Sequence, residues 1–200
     1  MKQKTYDIKK IRGDIDWKMI PELNIDNVLW TDDYGIRAKG QLCCDDENLY
    51  VHMSAVEKEI RAENTEPFSP VYEDSCLEFF FMLPGSDSYF NFEMNPNGVL
   101  NIEFGPVNAE RFFLSRPDLK KYFDIRTGRT KEGWELYYKI PLKFIRLLCP
   151  GYKFEGEISA NMYKCGSKTV NRHYLSWANI DLERPNFHCP QYFSKMYFVS

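Results

Sequence analysis

Two neighbouring segments decide the fold of this chain: residues 75–83 read SCLEFFFML, and residues 88–95 read SYFNFEMN. Apolar residues recur at every second position of both segments, which is the pattern of β-strands with one buried face. The intervening residues 84–87 read PGSD, a run of turn residues that predicts a hairpin. A four-residue loop at this point places Glu78 directly opposite Glu93, with Cβ atoms about 5 Å apart.

Similar alternation recurs along the chain, and no repeat or linker divides it, so we predict a single domain over residues 1–200. Short helices are expected only near residues 117–122 and 142–148. About ten short strands with so little helix predict an all-β fold, in which two antiparallel sheets pack as a jelly-roll or immunoglobulin-like β-sandwich. The predicted strands cover residues 36–44, 49–55, 75–83, 88–95, 99–104, 134–140, 157–164, 174–179 and 195–199.

The composition excludes several classes of protein. The net charge is −3, and the basic residues form no stripe, so nucleic acid is not an expected partner. No apolar run approaches the roughly 20 residues that cross a bilayer, so no membrane association is expected either. Residues 1–7 lack the apolar core of a secretory signal, which predicts a cytoplasmic chain unless a leader has been removed.

The metal-binding and catalytic motifs that can be read from spacing are missing from the sequence. The six cysteines form no C-x-x-C pair, so we predict reduced, mostly buried thiols and no metal site. The three histidines have no metal-protease spacing, and no nucleophile elbow or P-loop is present. Asp45, Asp46 and Asp74 offer the hard oxygen ligands of calcium, but no loop has a calcium signature. Structural calcium therefore stays open, and no cofactor is predicted.

The predicted hairpin concentrates polar side chains on one sheet face. Glu78 and Glu93 would repel each other, so a ligand, a cation or a shared proton is expected between them. The pattern of the next strand brings Asn101 and Glu103 beside Glu93 and Asn91 on the same face. The alternative interpretation is a solvated outer face, which antiparallel sheets commonly carry.

Five segments in the same order resemble the family 9 carbohydrate-binding modules, which are relatives of the DOMON-like domains. The segments are 72–80 (YEDSCLEFF), 89–93 (YFNFE), 133–141 (GWELYYKIP), 161–177 (NMYKCGSKTVNRHYLSW) and 185–193 (PNFHCPQYF). The resemblance implies a β-sandwich in which two tryptophans clamp a terminal sugar beside a glutamate. Matched by motif, Glu78 is that glutamate, Trp177 is the second aromatic, and Tyr72 replaces the first tryptophan. His173 and Tyr174 precede Trp177, where the resemblance implies a further polar contact.

These observations predict non-catalytic binding of a sugar, or of the end of an oligosaccharide or polysaccharide. The aromatic rings of Tyr72 and Trp177 would stack on the sugar, although each is also compatible with a place in the core. The polar contacts would come from Glu78, Asn91, Glu93 and His173. Two alternatives remain: a glycoside hydrolase that uses Glu78 and Glu93, whose spacing of about 5–5.5 Å would suit a retaining enzyme, and a protein-interaction β-sandwich without a sugar site.

Overall fold

The computed structural model describes residues 4–107, 110–116 and 118–200, and these form fourteen strands and two short α-helices. None of the helices in this part of the chain has the length and apolar character needed to cross a membrane. The helices are α1 (Leu119–Tyr122) and α2 (Leu142–Leu148). The strands are β1 (Thr5–Lys10), β2 (Leu23–Ile25), β3 (Asn27–Val28), β4 (Arg37–Cys44), β5 (Asn48–Val56), β6 (Cys76–Met82), β7 (Ser88–Met94), β8 (Leu100–Pro106), β9 (Phe112–Phe113), β10 (Arg126–Arg129), β11 (Gly133–Pro141), β12 (Glu157–Gly166), β13 (His173–Ser176) and β14 (Ser194–Val199).

The strands join into one hydrogen-bonded sheet with the order β10-β11-β5-β4-β1-β14-β12-β6-β7-β8-β9, to which β2, β3 and β13 are attached. Strand β1 runs parallel to both β4 and β14, and the other pairs are antiparallel. The predicted all-β class with two short helices is therefore confirmed. The two parallel pairs depart from the expected all-antiparallel arrangement, because the first and last strands lie side by side and link the two halves of the sheet.

The sheet curls so that β4, β5 and β11 face β6, β7 and β12 across one apolar core. Phe92 on β7 and Tyr138 on β11 stack across this core with ring centroids 6.0 Å apart. The two halves approach closely at Gly40, where a Cβ atom would collide with the sulfur of Met162. The alternating apolar residues of the sequence thus supply the inward faces of both halves.

Most predicted elements appear close to their expected bounds. The helix expected at residues 117–122 is α1, whose first predicted residue, Pro117, lies outside the described residues. The strand expected at 174–179 ends earlier, at Ser176. The unpredicted strands β2, β3, β9 and β10 are two to four residues long, too short for alternation to be visible. In β1 the buried Tyr6 and Ile8 do alternate, but among charged neighbours.

Candidate functional site

The predicted register of the central hairpin is confirmed. Glu78 on β6 pairs with Glu93 on β7, and Glu93 pairs in turn with Asn101 on β8. Asn91 pairs with Glu103 one step further along the same two strands. The polar residues of three strands therefore share one sheet face, as their spacing predicts.

This face is covered rather than solvated. Loop side chains pack over it in a second apolar cluster, so that Glu78 is only 3% exposed and Asn91 is fully buried. An opening remains in the cover, a pocket of about 380 Å³. Its aromatic lining comes from Trp30, Tyr72, Tyr174 and Phe187, and its polar lining includes Glu78, Glu93, Arg172, Asn186 and His188.

Glu78 lies in the pocket without a cationic partner among the described residues. Its Oε1 atom accepts a hydrogen bond from the Cys165 thiol, at 2.9 Å. Burial, followed by the nearby Cys165 and Glu93, raises the pKa of Glu78 well above its ordinary value. A neutral carboxyl can both donate and accept a hydrogen bond, which suits a neutral polar ligand.

Glu93 is held in place by residues that do not line the pocket. Asn91 donates from Nδ2 to Glu93 Oε1 at 2.9 Å, and Arg111 donates to the Asn91 side-chain oxygen. Arg111 in turn lies over the Tyr89 ring, with its guanidinium carbon 3.8 Å from the centroid. Burial and the neighbouring Glu103 raise the pKa of Glu93 to about 7. Asn91 therefore orients Glu93 and does not itself line the pocket.

Tyr72 is on the rim of the pocket, in a short 3₁₀ turn, with 49% of its surface exposed. Its carbonyl oxygen accepts a hydrogen bond from the Ser167 backbone N–H, at 3.0 Å. This bond ties the turn to the loop that follows β12, and Ser167 also lines the pocket. Tyr72 and Glu78 therefore line the same pocket.

Trp30 is one of three pocket aromatics outside the predicted stacking pair, together with Tyr174 and Phe187. It has a left-handed backbone conformation, with φ of +55°, which is unusual for a bulky residue. Its indole Nε1 donates to the Leu182 carbonyl at 2.6 Å, and its ring packs at 5.8 Å from both Tyr174 and Phe187. The available signal was a tryptophan at the start of the polar stretch 30–33 (WTDD).

Three further polar side chains of the lining were also absent from the predicted site. Arg172 donates from Nε to the Tyr174 hydroxyl at 3.0 Å, and Asn186 lies in an exposed loop. His188 Nδ1 is 2.8 Å from the Tyr89 hydroxyl. Burial, followed by the positive charge of Arg111, lowers the pKa of His188. They lie in the two loops that flank β13, far in sequence from β6 and β7, so no local pattern connects them with Glu78 and Glu93.

Trp177 is not a stacking platform, which corrects its predicted role. It is 3% exposed and belongs to the main core between the two halves of the sheet. Its backbone N–H donates to the Met162 carbonyl at 2.9 Å, which fixes it against β12. An aromatic ring that is packed on all sides offers no face to a sugar.

His173 lies in a different cluster, away from the pocket lining. Its Nε2 atom is 2.7 Å from Lys164 Nζ, and its Nδ1 atom is 2.6 Å from the Asn171 carbonyl. Lys164 Nζ is also 3.1 Å from Glu57 Oε1, and all three side chains are buried. His173 therefore stabilises a buried ionic network, which corrects its predicted place among the sugar contacts.

The three carboxylates considered for calcium are engaged by donors of the protein. Asp74 accepts hydrogen bonds from the backbone of Glu63 and Asn64 and from the Asn95 amide. Asp45 accepts from the backbone of residues 47 and 48 and from the Tyr50 hydroxyl. Asp46 pairs with a lysine at the surface.

A curled β-sheet whose loops enclose a pocket of aromatic and carboxyl side chains has the architecture of a β-sandwich module. The sequence model of carbohydrate-binding family 9 matches residues 11–198. The chain therefore belongs to this family, and the predicted resemblance is confirmed. A search of curated protein sequences gave no match.

Solved structures share the fold over almost the whole chain. A protein of Bacteroides uniformis ATCC 8492, described as a candidate carbohydrate-binding protein, has a TM-score of 0.85 and 29% identity, covering 98% of this chain and 100% of its own. A family 9 module of Caldicellulosiruptor kristjanssonii in complex with glucose has a TM-score of 0.68 and 14% identity, covering 98% and 96%. A structure from that organism with cellotriose gives a TM-score of 0.68 and 14% identity, covering 98% and 93%.

Proposed function

We propose that this protein binds carbohydrate without chemically converting it, and that a sugar residue occupies the pocket lined by Trp30 and Tyr72. One observation carries the proposal: aromatic rings and two buried carboxyl groups line the same pocket. A sugar has both a C–H face that stacks on an aromatic ring and hydroxyl groups that need polar partners. A lining of this kind meets both requirements.

The roles of the lining residues follow from their chemistry. Burying one sugar face against an aromatic ring contributes roughly 1–2 kcal/mol, at about 25 cal/mol per Å² of apolar surface. Glu78 and Glu93 are the acceptors at the base of the pocket, and Arg172 is a donor for ring or hydroxyl oxygens. The structures of the Caldicellulosiruptor kristjanssonii modules with glucose and cellotriose support these as the first ligands to test.

The test is a titration of the protein with a panel of soluble monosaccharides and oligosaccharides that includes glucose and cellotriose. Tryptophan fluorescence and calorimetry should both give saturable binding in the micromolar to millimolar range, about −8 to −4 kcal/mol. Trp30→Ala and Tyr72→Ala should each weaken affinity about five- to thirtyfold, the size expected for one lost stacking face of roughly 1–2 kcal/mol.

Trp17→Ala is the matched control, because Trp17 is another partly exposed tryptophan but packs near Tyr137, outside this pocket. Its affinity for the sugar should equal that of the unaltered protein. Binding that depends on Trp17 and is insensitive to Trp30 would move the site to another surface. No binding across the panel would refute the proposal.

Hydrolysis is a second candidate, because the confirmed register places Glu78 directly across from Glu93. The carboxyl pair of a retaining glycosidase has this kind of arrangement. Incubation with oligosaccharides, followed by measurement of new reducing ends, separates the two functions. Catalysis predicts continuous release that is lost in Glu78→Gln and Glu93→Gln, whereas a binding protein releases nothing.

A further inference from the structure

A second chemical feature lies at the base of the pocket, in three side chains on two neighbouring strands. Cys76 and Glu78 are two residues apart on β6 and point to the same face. Cys165 on β12 is the direct partner of Cys76 across the antiparallel pair. One sulfur from each cysteine and one carboxylate oxygen of Glu78 all lie within 4.8 Å of one another.

The donor set has a specific chemical preference. Two thiolates and a carboxylate are ligands for zinc and similar divalent transition-metal ions, whereas calcium and magnesium prefer oxygen alone. The two sulfur atoms and the carboxylate oxygen form a triangle. Metal–sulfur bonds of about 2.3 Å and metal–oxygen bonds of about 2.0–2.2 Å would fit a triangle of this size after small side-chain rotations. The strand pair fixes the three Cα positions, so the site is built on rigid elements.

We propose that Cys76, Glu78 and Cys165 bind one divalent transition-metal ion of the zinc class at the base of the pocket. Cys165 and Glu78 line the pocket, so an ion can enter from it and a fourth ligand can approach from the same side. Three protein ligands with one open position is the arrangement of zinc sites that also bind a water or a small ligand. A sugar hydroxyl in the pocket would be such a ligand.

The charges around the site are consistent with a bound cation. Glu78 and Glu93 lie side by side, and the hydrogen-bond partner of the Glu78 carboxylate among the described residues is the Cys165 thiol. On binding, the two cysteine thiols and the Glu78 carboxyl each release a proton to solvent, and the two sulfur–metal bonds and the oxygen–metal bond form without any change of oxidation state. The ion then balances the negative charges of the two thiolates and the carboxylate.

The experiment uses Co²⁺ as a spectroscopic probe on the full chain, kept reduced and free of chelators, with no sugar present. Thiolate ligands should give intense near-ultraviolet charge-transfer bands, and four-coordinate Co²⁺ should give strong visible bands, both saturating at one ion per chain. Zn²⁺ should displace the Co²⁺ and abolish the bands. Cys76→Ser and Cys165→Ser should each weaken or remove the charge-transfer bands.

Cys189→Ser is the matched control, because Cys189 is a buried free thiol in the same apolar cluster but outside the triangle. It should retain full cobalt binding, and circular dichroism of every variant verifies folding. If the unaltered protein, with all its thiols shown to be reduced, gives no thiolate–cobalt bands, the proposal is wrong. Bands that persist in the folded Cys76→Ser/Cys165→Ser double variant would also overturn it. Since no sugar takes part, this result is independent of the sugar titration.

Discussion

Two buried carboxyl clusters meet on β12, where neighbouring residues point to opposite faces of the strand. On one side, Glu57 forms an ion pair with Lys164, whose Nζ is 3.1 Å from Oε1, and accepts hydrogen bonds from the Trp134 indole at 2.6 Å and from a serine hydroxyl at 3.0 Å. On the other side, Glu78 accepts from the thiol of Cys165 and faces Glu93 across the strand pair. The two carboxyl groups are equally hidden from bulk water but have very different partners.

The difference separates a structural cluster from a candidate binding site. A buried charge is tolerated when a cation and several donors replace its lost water, and the Glu57 cluster meets this condition. Glu78 has no ion-pair partner among the described residues, and it opens into a pocket. A buried ionisable group that has few stabilising partners and that a ligand can reach is characteristic of functional sites.

The largest expected effect is on folding. Glu57→Ala would leave Lys164 buried without its counter-ion and should lower the free energy of unfolding by about 3–5 kcal/mol. Urea unfolding followed by fluorescence measures the change. A loss below about 1 kcal/mol would mean that the Glu57 cluster contributes little to stability, and the contrast between the clusters would fail.

Glu78→Gln should leave the stability of the protein intact and weaken sugar binding. The amide keeps the size of the side chain and removes a buried acid that has no ion-pair partner in the described part of the chain, so the free energy of unfolding should stay equal or rise. Sugar affinity should fall about 10- to 100-fold, because a hydrogen bond to a charged or strongly polar group is worth about 1.5–3 kcal/mol. The same urea and sugar titrations give both values. A strongly destabilised variant with intact affinity would reverse the assignment of the two clusters.

The sequence was sufficient to predict the floor of the pocket. Alternation and turn residues fixed the hairpin, and the side chains of Glu78 and Glu93 follow from its register. Tyr72 precedes β6 closely enough for its position to be predicted from the motif. These residues belong to one continuous segment, so local periodicity determines how they are placed.

The cover of the pocket could not be predicted in the same way. Trp30 and His188 reach it from loops that are more than 150 residues apart in the chain. Trp177 was misassigned because the motif aligns it with a binding aromatic, while tertiary packing buries it in the main core. Sequence spacing could not predict that Cys76 and Cys165 lie close together either, because the two residues meet only through the pairing of β6 with β12.

The pH dependence of stability sharpens the contrast between the clusters. The pKa of Glu93 is raised from 4.5 to about 7 in the folded protein, so the folded state binds a proton more tightly than the unfolded state does. Its contribution is fully present below about pH 4.5 and is lost as the pH rises through about 7. His173, with a pKa lowered to about 4, acts in the opposite direction.

Subtracting the stability of Glu93→Gln from that of the unaltered protein at each pH isolates the contribution of Glu93. The difference should decrease between about pH 4.5 and 7 and level off above that range. Urea unfolding in matched buffers of constant ionic strength measures it. A difference that does not change with pH would show that Glu93 titrates normally and that its environment is not the one described.

The smallest effect concerns His173, which the resemblance places at the sugar and the structure places in the Glu57 cluster. Its lowered pKa keeps the ring neutral, so Nδ1 donates to the Asn171 carbonyl and Nε2 accepts from Lys164. His173→Asn would remove the acceptor while Lys164 keeps Glu57 and the Cys165 carbonyl, so the expected loss is about 1–2 kcal/mol of unfolding free energy. Sugar affinity should not change. A folded variant with normal stability and at least tenfold weaker sugar binding would show that His173 contributes to the binding site and that the two clusters are coupled through β12.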